Sequence, residues 1–154
     1  MTFETAVAFV LNEEGGYTND PRDPGGETRY GISKRAHPNV DIKNLTLEEA
    51  ESIYRFLYWD ECRCDALPDK LGLAVFDSAV NQGVPAATEM LQVAVGTAQD
   101  GIIGPVTIDR ANASDESSII ARFMTERVMR YTRSSSFLIY GRGWISRTMR
   151  VAMS

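Results

Sequence analysis

The chain has 154 residues, of which 44% are apolar and 24% charged, with 21 acidic against 16 basic side chains. This is the composition of one globular domain large enough to bury a core, and it excludes a disordered chain. The charge is unevenly placed: after residue 121 seven arginines face Glu126 alone, a net +6, whereas the first 121 residues carry nine basic and twenty acidic side chains, a net −11. We therefore expect the C-terminal segment to contact an anionic surface.

Several classes of protein and site are excluded by local features. The apolar run at residues 6–11 is too short for a membrane span and has no basic residue ahead of it, as a secretory signal would. Cys62 and Cys64 are too close in sequence for an easy disulfide and lack the second ligand pair of a structural zinc site. His37 is the only histidine, so we expect no metal centre, no cofactor and no catalytic pair built on histidine.

Most of the chain has the apolar spacing of α-helices. The first helix is predicted at 3–14, and residues 15–31, with five of the twelve glycines and two of the six prolines, predict a turn-rich segment with a small hairpin. The other helices are predicted at about 47–61 after a Thr46 capping box, at 68–81, at 85–95, from Pro105, from a Ser114 cap through Tyr131, and at about 144–153.

Polar side chains that can carry chemistry are dense in and beside the turn-rich segment. Glu14 continues the apolar stripe of the first helix into its last turn, where burial would raise the pKa of the carboxyl and suit it to a general acid. Asp23 follows nine residues later, in a turn that can bring it opposite Glu14, and glycoside hydrolysis requires such a pair. The alternatives are a solvated helix end with an ordinary turn, and a calcium loop at Asp20, Asp23 and Glu27, which lacks the ligand alternation of an EF-hand.

Four sequence strings resemble glycoside hydrolase family 108, the muramidases of phage endolysins and related bacterial lysis proteins. The first is E-G-G-Y-T-N-D-P-R-D-P-G-G-E-T-R-Y-G-I-S at residues 14–33, which is similar to the catalytic signature of that family. F-D-S-A-V-N-Q-G at 76–83, D-G-I-I-G-P-V-T at 100–107 and Y-G-R-G-W at 140–144 resemble the peptidoglycan domain that accompanies it. For D-G-I-I-G-P-V-T, a structural turn between helices is the favoured interpretation over a binding motif.

The resemblance implies a mainly α fold. We expect a single lysozyme-like domain over 1–154 with a small irregular or β-hairpin segment near 15–32. Within it, the catalytic signature would occupy 14–33 and the peptidoglycan-domain half about 68–154.

The resemblance also implies roles for individual residues. Glu14 matches the glutamate that acts as general acid in the family, in agreement with the argument from the helix face. Asp23 and Thr28 resemble the aspartate and threonine of phage-type lysozymes, which orient or activate water. Since Thr28 follows Asp23 by five residues, Asp20 or Glu27 would share the role if the wider pattern requires six.

Three further residues are candidates for substrate binding. Asn81 lies in a segment similar to the F-N-x-G element beside the cleft of phage-type lysozymes, where its carboxamide would bind a sugar acetamide. Its alternative is a helix C-terminal Asn before Gly83. Tyr17 and Tyr30 are expected to stack on sugar faces.

The function implied by the resemblance is that of an endolysin. It would hydrolyse the β-1,4 bond between N-acetylmuramic acid and N-acetylglucosamine in peptidoglycan and lyse the host. We expect a monomer that waits in the host cytoplasm until a holin releases it to the periplasm or cell wall. Its partners would be peptidoglycan glycan strands and an anionic envelope surface contacted by the arginine-rich end, and no nucleic acid. The alternatives are a lytic transglycosylase and a non-catalytic peptidoglycan-binding or lysis-regulating protein.

Overall fold

The computed structural model describes residues 1–14, 16–19 and 26–154, and most of these residues are helical. The chain begins with helix α1 (Phe3–Glu14), followed by a two-stranded antiparallel sheet. The strands are β1 (Thr28–Arg29) and β2 (Ile32–Ser33), and the later helices are α2 (Leu47–Tyr54), α3 (Asp69–Gln82), α4 (Val84–Val95), α5 (Pro105–Asn112), α6 (Glu116–Thr132) and α7 (Phe137–Met153). The predicted mainly α fold and its small hairpin are confirmed.

Helix α3 is the central helix of the core. Every residue from 71 to 79 is buried, as the apolar composition of all sides of this helix predicts. Phe76 packs edge-to-face against Phe3, Trp59 and Tyr54, with ring centroids 5.4–6.3 Å apart. Helix α3 also contacts α1, α4, α6 and α7. It therefore packs against both the first and the last helix of the chain.

The helix predicted at 47–61 starts as expected but changes its helical type before its end. Its start is confirmed, because Thr46 and Glu49 form the reciprocal capping box. The α-helix ends at Tyr54, and a π-helical turn follows at Arg55–Trp59, closed by a hydrogen bond from Asp60 N–H to the Arg55 carbonyl. The wider turn brings Trp59 into the core beside Phe3 and Phe76. The spacing of apolar residues in the sequence does not reveal such an inserted residue.

The predicted starts of the last two helices are wrong. Helix α6 is capped by Asp115, whose carboxylate accepts a hydrogen bond from Ser118 N–H at 2.8 Å, whereas the Ser114 hydroxyl donates to the carbonyl of Arg110 at the end of α5. Helix α7 begins at Phe137 and not near Trp144. Gly141 does not interrupt it, because its missing side chain makes room for the Phe137 ring, 2.7 Å from where a Cβ would lie.

The D-G-I-I-G-P-V-T segment is a hydrogen-bonded turn before α5. Buried Gln92 donates to Asp100 Oδ1 at 2.6 Å and to the Ile102 carbonyl at 3.0 Å, and it accepts a hydrogen bond from Gly101 N–H. This agrees with the structural interpretation of the segment. None of the described helices combines the length and the apolar character needed to cross a bilayer.

Candidate active site

Glu14 lies at the C-terminal end of α1, directly against the hairpin. Gly31, in the turn between β1 and β2, has φ +75°, and a Cβ there would lie 2.9 Å from Glu14 Cγ and 2.6 Å from the Tyr54 hydroxyl oxygen. Glycine is therefore required both by the turn and by the contact. The Tyr54 hydroxyl donates to the Tyr30 carbonyl at 2.8 Å. This hydrogen bond holds the hairpin turn beside the Glu14 carboxyl.

Two tyrosines lie on the inner side of Glu14. Burial, and then the negative charge of Glu14, raises the pKa of Tyr54. The same two causes, in the same order, raise the pKa of Tyr58. Both phenols therefore stay neutral at physiological pH, and they add no negative charge beside the carboxyl.

An arginine 133 positions later in the chain contacts Glu14. Arg147 Nη1 donates to Glu14 Oε1 at 2.7 Å, while its Nε and Nη2 donate to Asp77 Oδ1 at 3.0 and 2.8 Å. The Glu14 side chain is 22% exposed, Arg147 is 11% exposed and Asp77 is fully buried. Glu14 is thus partly buried, as its place on the α1 stripe predicts, but it also accepts a charge-assisted hydrogen bond that the stripe does not reveal.

The contacts continue from Asp77 to α6. Arg127 Nη2 lies 2.7 Å from Asp77 Oδ2, an ion pair by distance whose angles are not those of a hydrogen bond. Arg127 Nε donates to the Tyr131 hydroxyl oxygen at 3.1 Å, and that hydroxyl donates to Asn81 Oδ1 at 2.5 Å. We call these six residues the buried network after Asp77 and Arg127, which are fully buried. Glu14 is only partly buried and Asn81 is exposed. The members are Glu14, Arg147, Asp77, Arg127, Tyr131 and Asn81.

The charges of the buried network balance when Glu14 is ionised, and one positive charge is in excess when Glu14 carries the proton of a general acid. Two carboxylates, Glu14 and Asp77, face two guanidinium groups, Arg127 and Arg147. Burial alone would lower the pKa of Arg147, but the charges and hydrogen bonds of Asp77 and Glu14 more than offset this and raise it. Since an unpaired charge is very costly in an interior, each of the four groups depends on the others.

A second ion pair joins α1 to α7 beside the network. Arg150 donates to both carboxylate oxygens of Glu13, with distances of 2.8 and 2.6 Å. The hydrogen bond from Arg150 lowers the pKa of Glu13. Both arginines of the last two helical turns therefore hold the C-terminal helix against the end of α1.

The structure describes only some of the site residues that the sequence predicts in the turn-rich segment. Thr28 is in β1, where its backbone pairs with Thr18 and its hydroxyl donates to the Gly26 carbonyl at 3.3 Å. The exposed Tyr17 donates its hydroxyl to Glu27 Oε1 at 2.7 Å. The predicted carboxylate Asp23, and its alternative Asp20, lie outside the described residues.

Tyr30 and Asn81 occupy different sides of the candidate site. Tyr30 has φ +52° in the hairpin turn, and the Arg29 guanidinium lies 5.3 Å from its ring centroid. Its half-buried ring packs against the core. Asn81 lies one helical turn after Asp77 on α3, so it is linked to Glu14 through the buried network rather than through the hairpin.

Asn81 lines a cavity of about 300 Å³. Its other lining residues are Gln82, Arg130, Tyr131, Ser134 and Trp144. The Trp144 and Tyr131 rings stack with centroids 5.0 Å apart. Carboxamides beside an aromatic face are a suitable lining for a sugar, which presents both hydrogen-bonding groups and apolar C–H surfaces.

A larger groove of about 530 Å³ between α6 and α7 is not the candidate site. Apolar side chains such as Met124, Met129 and Met149 line it, and it includes no carboxylate and no member of the buried network. In the part of the chain that the structure describes, no group of three His, Cys, Asp or Glu residues is arranged to hold a metal ion. The carboxyl of Glu14 and the groups around it are suited to acid–base and electrostatic chemistry.

The sequence analysis missed three members of the network. Asp77 could have been identified from the sequence, because a lone carboxylate inside a helix that is apolar on all sides requires a buried cation. Arg127 is less clearly indicated by the sequence: it lies on the same face of α6 as Phe123 and Tyr131, so its side chain is expected to be buried. Arg147 could not be identified from the sequence, because its partners Glu14 and Asp77 are distant in the chain. It also belongs to a basic segment whose charge suggested an external anionic partner.

The chain is similar to known proteins in both sequence and structure. The family model described as glycosyl hydrolase 108 matches residues 7–83, which contain Glu14, the hairpin and Asp77. The structure of Brucella abortus SagA is similar to this chain, with 34% sequence identity and a TM-score of 0.88, over 98% of this chain and 91% of that one. No curated protein matches the chain. The similarity confirms the predicted lysozyme-like fold.

Proposed function

Because the chain belongs to the glycosyl hydrolase 108 family, whose members are glycosidases that hydrolyse peptidoglycan, we propose that it is an N-acetylmuramidase. It cleaves the β-1,4 bond between N-acetylmuramic acid and N-acetylglucosamine. The observation that carries this proposal is the position of Glu14, a carboxyl held between the Gly31 turn and Arg147 in a setting from which water is partly excluded.

Glu14 acts as the general acid that protonates the leaving oxygen. Arg147 holds one carboxylate oxygen at 2.7 Å, so the direction of the carboxyl is defined before substrate binds. Once the proton has been transferred, the same guanidinium stabilises the carboxylate that remains. Asp23, together with the Thr28 hydroxyl, supplies the second carboxyl function by activating water or stabilising the developing oxocarbenium ion.

The identity of the cleaved bond is tested by mass spectrometry of purified peptidoglycan after digestion. We expect soluble muropeptides that end in reducing N-acetylmuramic acid. An anhydro-muramic end would identify a lytic transglycosylase, and a reducing N-acetylglucosamine end a glucosaminidase. If sacculi are bound but no muropeptide is released, the chain is a non-catalytic binding or lysis-regulating protein.

The biological role proposed for this activity is that of an endolysin. The similarity of residues 14–33 to the signature of phage muramidases supports it. The chain acts as a monomer, remains in the host cytoplasm, and reaches the periplasm or cell wall when a holin opens the inner membrane. Expression in a bacterial host should cause lysis only with a co-expressed holin, and lysis at the same rate without one contradicts the role.

The arginine-rich end contacts an anionic envelope surface, but through fewer residues than its charge suggests. Four of its seven arginines lie within 4.0 Å of a carboxylate of the chain, namely Arg127, Arg130, Arg147 and Arg150. Arg133 and Arg142 have no such partner among the described residues, and they flank Leu138 and Ile139, which are 96% and 74% exposed. This combination of cations and exposed apolar side chains fits the boundary of an anionic lipid layer.

Charge reversal separates this surface from the internal ion pairs. Arg133→Glu with Arg142→Glu should reduce binding to anionic lipid vesicles and leave binding to neutral vesicles unchanged. Arg35→Glu with Arg110→Glu is the matched control, since it changes the charge by the same amount at two exposed sites outside the arginine-rich end. Equal vesicle binding by wild type and the variant at Arg133 and Arg142 would remove the envelope proposal without affecting the enzymatic one.

A further inference from the structure

Helices α6 and α7 leave a long groove between them, away from the buried network. The link that joins the two helices covers only residues 133–136, so the helices run antiparallel. The α6 side of the groove is lined from Ser117 to Met129, a distance of about 18 Å at 1.5 Å per residue. The groove volume of about 530 Å³ is in the range of sites that bind small molecules.

The body of the groove is apolar. Ile120 and Met124 are buried and form its floor, whereas Met129 and Met149 are half exposed and form its rim. Three of the six methionines of the chain thus line this one groove. The methionine side chain is flexible and polarizable, so it adapts to an apolar ligand that has no fixed shape.

One end of the groove carries a positive charge. Lys70, the only charged residue that lines the groove in the described structure, lies there beside Ser117, because its backbone N–H donates to Glu116 Oε1 at the start of α6. The neighbouring Asp69 contacts the amino group of Met1. No carboxylate of the described residues lies within 4.0 Å of Lys70 Nζ. The ammonium group is therefore available to an external anion.

The dimensions of the groove fit one acyl chain better than a helix. Its volume divided by its length gives a mean cross-section of about 30 Å². An α-helix with its side chains is at least 10 Å across and occupies about 80 Å². The hydrocarbon core of a bilayer is about 30 Å thick, so one lipid chain spans about 15 Å. A chain of this length fits within the 18 Å groove.

We propose that this groove binds one acyl chain of an anionic membrane phospholipid. The headgroup phosphate lies at Lys70 and Ser117, and the chain lies over Met124 between the two rim methionines. The site is separate from Glu14 and from the surface at Arg133 and Arg142, so the inference goes beyond the proposed function and does not depend on it. It adds recognition of a single lipid molecule to the general attraction between arginines and an anionic layer.

Single-chain lipids below their micelle-forming concentrations test the inference without a bilayer. The probes are lysophosphatidylglycerol, which is anionic, and lysophosphatidylcholine, which carries the same phosphate with an added cation. Titrated into the full chain by calorimetry, the anionic lipid should bind about fivefold more tightly at equal chain length, as expected for one exposed ion pair.

Chain length separates the groove from unspecific partition. The affinity should rise about tenfold for each two methylene groups added. It should stop rising near about 15 carbons, because a chain that extends by about 1.2 Å per bond then fills the groove. Partition onto an unspecific apolar surface has no such limit.

Nuclear magnetic resonance of methionine methyl groups labelled with carbon-13 locates the bound chain. The Met90 signal, from a residue outside the groove, should remain unchanged. The signals that should shift when lysophosphatidylglycerol binds are those of the groove methionines, Met124, Met129 and Met149.

Two variants with matched controls test the two ends of the ligand. Ala121→Trp fills the groove from an exposed position and should abolish binding, whereas Ala98→Trp at another exposed alanine should not. Lys70→Gln should bring the ratio between the two lipids close to one and keep the dependence on chain length. Lys43→Gln, at another exposed lysine, should leave the ratio unchanged. The helical circular dichroism spectrum checks that each variant folds.

The inference is overturned if the two lipids bind equally to wild type, if affinity rises with chain length without a limit, or if the two tryptophan variants behave alike. Methionine signals that change with protein concentration in the absence of lipid would identify a contact between two copies of the chain and would also overturn it. Muropeptide release is measured on its own, so failure of the lipid site and failure of the proposed function are distinguishable.

Discussion

Asp77 is the residue on which the candidate site depends most. It is fully buried and lies within hydrogen-bonding or ion-pair distance of both Arg147 and Arg127. Through these two side chains it supports Glu14 on one side and Asn81 on the other. A single carboxylate in the central helix thus positions both the proposed acid and the amide to which the resemblance to phage-type lysozymes assigns sugar binding.

Replacing Asp77 by Asn should destabilise the protein strongly. Two buried guanidinium groups would lose their shared anion, and breaking a buried pair from one side costs about 3–5 kcal/mol. The free energy of unfolding in urea measures this loss. Asp109→Asn, at an exposed position of α5, should change it by less than about 0.5 kcal/mol, and an equally small change at Asp77 would mean that the network does not hold the core together.

Gly31 offers a test of the contact between the hairpin and Glu14. Gly31→Ala should lower the rate of peptidoglycan cleavage by more than tenfold, because the new methyl group would displace Glu14 or Tyr54. Gly26→Ala is a matched control: its φ of +71° imposes the same backbone strain, but none of the described residues lies within 4 Å of the added Cβ. Equal loss of activity in the two variants would show that strain, and not the contact, is responsible.

At the scale of elements, the order and type of the helices could be predicted from apolar spacing, capping residues and glycine positions. Helices α1, α3 and α4 differ from their predicted bounds by at most one residue. The π turn at Arg55–Trp59 and the start of α7 could not be predicted, because each depends on packing. Trp59 requires the extra residue to reach the core, and Phe137 extends the helix over Gly141.

The joint between α1 and α7 should show a characteristic pH dependence. Because Arg150 lowers the pKa of Glu13, the pair stabilises the folded protein above the unfolded pKa of about 4.3 and loses this contribution as pH falls through the lower folded value. Wild type should exceed Glu13→Gln in stability by about 0.5–1 kcal/mol at pH 7, since Arg150 is half exposed.

Urea unfolding from pH 7 to pH 2 measures this difference. It should shrink as the pH falls below about 4.3. In an Arg150→Gln background the Glu13→Gln change should have little effect at any pH. A constant difference across the whole range would contradict the assignment to this ion pair.

At the scale of the whole molecule, the C-terminal segment completes the site formed by the N-terminal one. Glu14 could be selected from the sequence because its helix stripe and its motif both indicate it. Its partner could not, because Arg147 is 133 positions away and only the packing of α7 on α3 brings them together. The first part of the chain is acidic and its end is basic, which suggested an external anion. Part of this charge is instead paired within the fold, where arginines of the end contact carboxylates of the first part.

We propose that Glu14, directed by Arg147, is the general acid of a peptidoglycan glycosidase. The most direct measurement is the rate of muropeptide release from purified sacculi by Glu14→Gln. Glu4→Gln on the same helix, at an exposed position, is the control. We expect a rate about 10²–10⁴ times lower for Glu14→Gln, with sacculus binding retained and the control as active as wild type. Equal rates for Glu14→Gln and the control would contradict it.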